Sequence, residues 1–379
     1  MSAIAGYATA SATRAYTKAQ GGEFPPGHYS DFLATGIALS SLGVGTFGGA
    51  ATDAVDAQIA QIVARALERG LNVIDTATHY RYGRSARAVG VGLKQALAAG
   101  VPREAVFLIS KGGFLLFPDG PPRNINEFFQ REIVAKGLGA RADFAGKVHV
   151  LSPAHLDRQI DLSREAIGVE TLDAFIVDQP EVQIAEHGKP ELIRKLDRAF
   201  VALERAVQSG RIRYYGVSSF HSFRAHTDDK LFLSLASLLA LAERAAHEVF
   251  GDGATHRFAI VQLPFNAVML EGFARFNQVT GQGNEASTLQ AALQLGLYTM
   301  ASHSLFKGHL GKQSLDAIQQ ALPKATTHAQ RALQFNRSTP GLGTSLVGVS
   351  QGRHLDDVLA AARLPLMAKQ TYLSLFQKA

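Results

Sequence analysis

A (β/α)8 TIM barrel is the fold class this sequence predicts, on three observations. Short apolar, β-rich runs alternate with amphipathic helical stretches eight times along the chain, the pattern of βα units around a parallel sheet. Polar residues suited to chemistry stand at the C-terminal tips of those runs, where such a barrel builds its site from the βα loops. The third observation concerns the runner-up, a doubly wound dinucleotide-binding sheet. Gly43, Gly45 and Gly48 have the glycine spacing of its phosphate turn. No helix opens directly on them, however, and no acid follows at the expected distance.

Taken in order, residues 1–37 form an N-terminal extension with a Gly/Pro-rich approach at 21–27. The first strand is expected over 39–46, and the glycines of 43–49 read as a loop passing close to a ligand. A helix over 53–69 follows, then a strand at 71–75, a helix at 85–98 and a strand at 105–111. The connection 112–152 carries Pro118, Pro121 and Pro122 and is too long for a simple βα loop, so it reads as a lid or binding loop. Its Phe114, Phe117, Phe128 and Phe129 are either a pocket wall or anchors onto the barrel. A helix starts near Pro153, and further strands are expected at 172–178, 212–218, 258–263, 296–302 and 344–348. The barrel thus spans 38–363, and 364–379 reads as an added amphipathic helix.

The 379 residues are 46% hydrophobic and 18% charged, a soluble globular composition, and no apolar run reaches the roughly eighteen residues of a membrane span. The net charge of +6 is spread along the chain instead of forming runs, which favours an anionic small ligand over nucleic acid or a membrane surface. The absence of Cys excludes a disulfide framework, thiolate metal sites and a Cys nucleophile. The 13 His show no recognisable metal-ligand spacing, and no Gly-x-Ser-x-Gly elbow is present. No metal is expected. Residues 1–20 lack a secretory apolar core and have only a weak transit-peptide look, so a cytoplasmic protein is expected.

Chemistry concentrates in two segments. Asp75 ends the run Val73-Ile74-Asp75, Tyr80 follows five residues later, and Lys111 ends Ile109-Ser110-Lys111. A phenol is a poor acid at neutral pH, its pKa lying near ~10. Lys111 beside it would favour the ionised form, and Asp75 would keep that ammonium charged and fixed, so Tyr80 could donate a proton to a nascent alkoxide. Any one of these residues alone is more often a cap or an ion pair. Their joint placement at strand ends points to catalysis.

These residues resemble the aldo/keto reductase family over 38–363, in particular a bacterial and fungal subgroup with an N-terminal extension and a long third loop. Ile74-Asp75-Thr76-Ala77 with Tyr80, Gly83 and Ser85 looks like the family's Asp/Tyr segment, and Ile109-Ser110-Lys111-Gly112-Gly113 like its Lys segment. Arg211-Ile212-Arg213-Tyr214-Tyr215-Gly216-Val217-Ser218-Ser219-Phe220 and Val261-Gln262-Leu263-Pro264-Phe265-Asn266 look like the nicotinamide-holding segments. The resemblance implies a barrel binding NADP(H), with NAD(H) also open, and reducing a small aldehyde or ketone with Tyr80 as proton donor. Ser218, Ser219 and Gln262 would hold the carboxamide. Ser302 and Leu305 would line the cofactor, Ser302 standing where the family has a Tyr stacked on the ring. Gly348, Arg353 and His354 would lie towards the phosphates. Oligomeric state is not implied.

The fourth-strand motif Asp173-Ala174-Phe175-Ile176-Val177-Asp178-Gln179-Pro180-Glu181 carries Asp178 where the family has its catalytic His. An ionised carboxylate there would repel an oxygen gaining charge. Three readings follow: a protonated Asp178 donating to the carbonyl, a base for isomerisation or elimination without net redox, or a nucleotide-binding protein without turnover. A nearby Lys111 lowers a carboxylate's pKa and so favours an ionised Asp178, unless Asp75 monopolises the lysine. His79 could instead supply the missing imidazole, but surface exposure is the expected outcome, because consecutive loop residues commonly point apart; His221 and His303 are open in the same way.

Overall fold

Eight parallel strands pair in chain order and close on themselves. They are β1 (Leu42–Gly45), β2 (Val73–Asp75), β3 (Phe107–Gly112), β4 (Leu172–Asp178), β5 (Ile212–Ser218), β6 (Phe258–Pro264), β7 (Tyr298–Ser302) and β8 (Thr344–Gly348), which pairs back onto β1. The computed structural model describes residues 3–280, 283–313 and 315–376. Helices follow the strands in turn: α1 (Asp53–Glu68), α2 (Arg84–Ala98), α3 (Pro153–Ile167), α4 (Ile184–Gln208), α5 (Leu235–Phe250), α6 (Thr288–Gln294), α7 (His328–Arg337) and α8 (Gly352–Ala362). Five begin where the sequence supplies an N-cap: the hydroxyls of Thr52, Ser152, Ser234, Ser287 and Thr327 each accept a first-turn N–H.

Successive strand residues face opposite sides of a sheet, and this sorts the core into two layers. Leu108, Phe175, Val177, Val217, Val261 and Val347 pack outward against the helices. Val73, Phe107, Ile109, Ala174, Ile176, Ile260, Met300 and Leu346 point inward and fill the barrel. One step further along the inward parity, at the C-terminal tips, stand Asp75, Lys111, Asp178 and Gln262. The polar cluster is therefore the top layer of the interior, set by the same alternation that builds the core.

The floor of the barrel is a separate piece. An N-terminal hairpin pairs Tyr29–Phe32 with Ile37–Ser40 and inserts Phe32, whose ring lies 5.0 Å from Phe107, 4.9 Å from Tyr214 and 5.2 Å from Tyr298. This corrects the single strand expected over 39–46: the chain breaks at Ser41, its first part belonging to the plug and its second to β1. Ahead of the plug, a helix (Ala10–Ala19) is capped by Thr9, and the Ala8 N–H donates to Asp173 at 2.6 Å.

The strands expected at 172–178, 212–218 and 344–348 form as expected, and apart from the first the others shift by one or two residues. Gly43 also departs from its expected role. A Cβ there would lie 3.0 Å from Val73 and 3.1 Å from Leu346, so its glycine serves packing inside the barrel; only the later part of that segment, from Phe47, is an open loop.

The 112–152 connection contains a short helix (Ile125–Phe129) and a small hairpin (Phe144–Ala145 with His149–Val150). Leu115, Phe129, Ile133, Phe144 and Val150 form a core of its own, with Phe117 and Phe128 packed against it. Three of the four candidate wall phenylalanines thus pack into the loop's own core instead of anchoring onto the barrel, and Phe114 alone of the four reaches the site. At the C-terminus the helix is shorter than the stretch 364–379, spanning Lys369–Ser374, and residues 377–379 lie outside the described part. No helix among the described residues is long and apolar enough to cross a membrane.

Candidate functional site

The Lys111 ammonium is in direct contact with Asp75 Oδ1, and both side chains are buried. Gln262 Nε2 donates to the other Asp75 oxygen at 3.2 Å. Among the described residues Lys111 makes no second ion pair, so Asp75 monopolises it. Lys111 Nζ also lies 5.1 Å from the centroid of the Tyr80 ring, over its face, within cation–π range. The three residues singled out from the two sequence segments are thus brought together.

The electrostatics correct one expectation. Lys111 was expected to push the Tyr80 hydroxyl down. Burial instead raises it well above the ordinary phenol range, with Asp178 and then Asp75 adding to the rise. Lys111 is answered by Asp75 and sits over the ring face, so it does not offset the two carboxylates. Tyr80 accordingly stands protonated, the form an acid must have.

Asp178 occupies the tip of β4 and pairs in register with Ser218, which pairs with Gln262. Ser218 Oγ donates to Asp178 Oδ1 at 2.6 Å. Burial raises the Asp178 carboxyl above the usual aspartate range, opposed by Lys111 and then by the Ser218 hydrogen bond. With no Lys or Arg in ion-pair contact among the described residues, the carboxyl holds its proton to higher pH than an exposed Asp.

Two histidines complete the cluster: His79, for which surface exposure was the favoured expectation, and His149, which carried no expectation. His79 does not face away: its Nε2 lies 3.7 Å from Asp178 Oδ2, and its ring meets Tyr80 edge-on at 4.8 Å and Phe114 at 5.0 Å. Burial, then Lys111, lower its pKa to about 3, so the ring is neutral at physiological pH. His149, from the small hairpin of the long loop, donates from Nε2 to the Asp178 carbonyl at 2.9 Å. Its tautomer follows from its neighbours. Lys195 Nζ donates to Gln183 Oε1 at 2.6 Å, which turns the Gln183 amide N–H towards His149 Nδ1 at 3.0 Å and makes that nitrogen an acceptor.

The backbone around Tyr80 is held under strain. Arg81 and Tyr82 both adopt left-handed φ values, 49° and 59°, which non-glycine residues rarely do. The Arg81 guanidinium fixes the turn by donating to the Ala50 carbonyl at 2.6 Å and to Asp56 at 2.6 Å. Gln179, just after Asp178, is likewise left-handed at φ 48°. Strain of this kind persists where surroundings over-determine it and clusters at functional sites. Phe47, 70% exposed, stands edge-on to Tyr80 at 5.0 Å and forms the outer wall.

The expected cofactor residues line the same rim. Ser218 and Gln262 are at adjacent strand tips, and the Gln262 amide oxygen carries no partner among the described residues. The Ser219 hydroxyl donates to buried Glu181 at 2.8 Å and accepts from the Ser222 N–H at 2.7 Å, which makes it a brace of the β5–α5 loop in this structure. Ser302 lies at the tip of β7, its hydroxyl 3.3 Å from His303 Nδ1, and His303 faces Phe220 at 5.1 Å. Leu305 is half-buried at the head of the turn Phe306–Gly311. Gly348 is exposed with open space where a side chain would stand. Exposed Arg353 and half-buried His354 occupy the first turn of α8, whose N-cap Gln351 makes no side-chain cap. The His354 N–H donates to the Gln351 carbonyl at 3.0 Å; the open backbone at Gly348 and the Arg353 cation suit a nucleotide phosphate.

Comparison with known proteins agrees with the barrel fold. The chain is 28% identical over 192 residues to the 6-dehydroglucose reductase of Novosphingobium aromaticivorans, a match covering 49% of each protein, so it spans about half the length of that relative. It is 27% identical over 256 residues to a D-threo-aldose 1-dehydrogenase of a Pseudomonas species, over 62% of this chain and 69% of the other. The crystal structure of an aldo/keto reductase from Klebsiella pneumoniae in complex with NADP and acetate superposes with a TM-score of 0.57 at 20% identity, covering 91% of this chain and 93% of that one. Residues 41–229, which carry Asp75, Tyr80, Lys111 and Asp178, match the family itself, and the chain belongs to the aldo/keto reductase family.

Proposed function

We propose that the protein is an NADP(H)-dependent oxidoreductase that reduces an aldehyde or ketone, with Tyr80 as proton donor, Lys111 and Asp75 fixing the charge beneath it, and Asp178 as an altered fourth member. The observation that carries this reading is the buried Lys111–Asp75 pair with the ammonium over the Tyr80 ring. Bound nicotinamide supplies the hydride in this chemistry. On the protein side, Gln262 and Ser218 orient the carboxamide, while Arg353 and His354 at the start of α8 meet the phosphate-bearing end. Tyr80 holds the proton that the carbonyl oxygen takes up.

Asp178 does not rule this out. A buried carboxyl whose proton is retained to raised pH does not repel a developing oxyanion, and its neutral form can itself donate a hydrogen bond. Support for NADP(H) comes from the nucleotide in the Klebsiella pneumoniae structure. The names of the two relatives make sugar-derived carbonyls the first substrates to try.

Calorimetric titration with NADPH and then NADH, followed by a carbonyl screen monitored by NADPH oxidation, tests the proposal. Tight NADPH binding with turnover of an aldehyde or ketone is expected. A folded protein that binds neither nucleotide would refute it.

A further inference from the structure

We propose that His79 is the second hydrogen-bond donor of this site, polarising the substrate carbonyl through Nε2 beside the Tyr80 hydroxyl. The inference rests on the reductase reading and replaces, from the β2 side, a function that Asp178 at the tip of β4 cannot perform once ionised.

The tautomer comes first. His79 Nδ1 is buried and has no hydrogen-bond partner among the described residues. A stranded N–H is among the rarest and most costly of buried groups, while a bare lone pair is better tolerated. The single proton of the neutral ring therefore belongs on Nε2. That nitrogen faces Asp178 Oδ2 at 3.7 Å, beyond a hydrogen bond, so its N–H is directed into the site without being committed to the carboxyl. An oxygen atom entering between the two residues would receive it.

The ring is also held in place. Phe114 lies against it at 5.0 Å and Tyr80 at 4.8 Å. Phe114 is itself pinned, since its carbonyl accepts from Gln159 Nε2 at 2.7 Å and its backbone bridges to His149. The left-handed turn at Arg81 and Tyr82 follows directly on His79 and Tyr80, whose rings meet at 4.8 Å, so two neutral donors are proposed on adjacent residues where charge develops. Pre-set donors of this kind are the main source of oxyanion stabilisation. In the reaction, the carbonyl carbon accepts hydride from a reduced nicotinamide nucleotide and the C=O electron pair moves onto oxygen. That oxygen takes the Tyr80 proton, and the His79 proton stays on Nε2, hydrogen-bonded throughout.

Two variants and one spectrum test this. His79→Phe keeps a ring against Phe114 and removes the donor; His79→Gln keeps an N–H. The phenylalanine variant is expected to lose at least about 100-fold in kcat/KM, with its calorimetric NADPH affinity within twofold of wild type. The glutamine variant is expected to stay within about tenfold. In the wild-type protein, 15N NMR of the imidazole should show the proton on Nε2. A proton on Nδ1, or His79→Phe turning over within threefold of wild type, overturns the inference alone. A wild-type protein that binds NADPH and reduces no carbonyl overturns the reductase reading, and this inference with it.

Discussion

Replacing Asp178 with Asn separates shape from charge at the position proposed above as the altered fourth member of the site. Asparagine keeps the volume and an acceptor for Ser218, and it cannot ionise. A carbonyl oxygen held by His79 Nε2 at an ordinary hydrogen-bond length lies within about 7 Å of Asp178 Oδ2, because Nε2 itself is 3.7 Å away. At that separation and an effective dielectric of about 20, a full oxyanion and an ionised carboxylate repel by at least about 2.4 kcal/mol, close to sixtyfold in rate. The sign with pH follows from burial, which holds the Asp178 carboxyl above the ordinary aspartate range. Below that raised value the wild type is uncharged there and should match the variant. Above it, the wild type should fall behind by about sixtyfold or more while Asp178→Asn shows no such limb. The assay is kcat/KM for one aldehyde with saturating NADPH across pH 5 to 9. Parallel profiles with a constant ratio at every pH would refute the reasoning.

Other outcomes are expected from the same geometry. Tyr80→Phe should lower kcat by about 100-fold or more with NADPH affinity unchanged in calorimetry, since only the proton is removed. Asp75→Asn leaves the buried Lys111 ammonium without a carboxylate in contact and should cost about 3–5 kcal/mol in urea denaturation. Because the folded Asp178 carboxyl keeps its proton to higher pH than the unfolded one, wild-type stability should fall as pH rises through that window. Asp178→Asn, lacking this loss, should unfold later than wild type at neutral pH. Arg353→Gln should weaken NADPH about tenfold, or 1.4 kcal/mol, and leave NADH unchanged if this exposed cation reads the extra phosphate.

What the sequence made legible follows from local pattern. The strands at 172–178, 212–218 and 344–348 are bounded apolar runs, and Asp75 and Lys111 sit at run ends, so their positions could be read. The break at Ser41 could not, because a continuous apolar run does not reveal where its hydrogen-bonding partner changes from a hairpin to a barrel strand. His79 was misplaced for a definite reason: neighbouring side chains oppose each other in extended chain, whereas His79 has helical dihedrals and opens the tight turn Tyr80–Gly83. His149 carries no local signal at all. Its role exists only because a hairpin seventy residues from Tyr80 in sequence docks beside Asp178, a long-range contact that period and composition do not encode. Ser219 matched a motif by position, while its partner Glu181 lies on another loop and redirects its hydroxyl.

The long loop behaves as a small domain attached by one chemically important thread. Its hydrophobic nucleus of Leu115, Phe129, Ile133, Phe144 and Val150 is its own, so its outer surface has room to vary without loosening the barrel. The thread is Lys195–Gln183–His149–Asp178, which runs from α4 through the loop hairpin to the carbonyl at the tip of β4. Variation on the first part reshapes what reaches the pocket, and variation on the second alters the acid at its centre. Recognition and reactivity are thereby open to selection separately within a single segment.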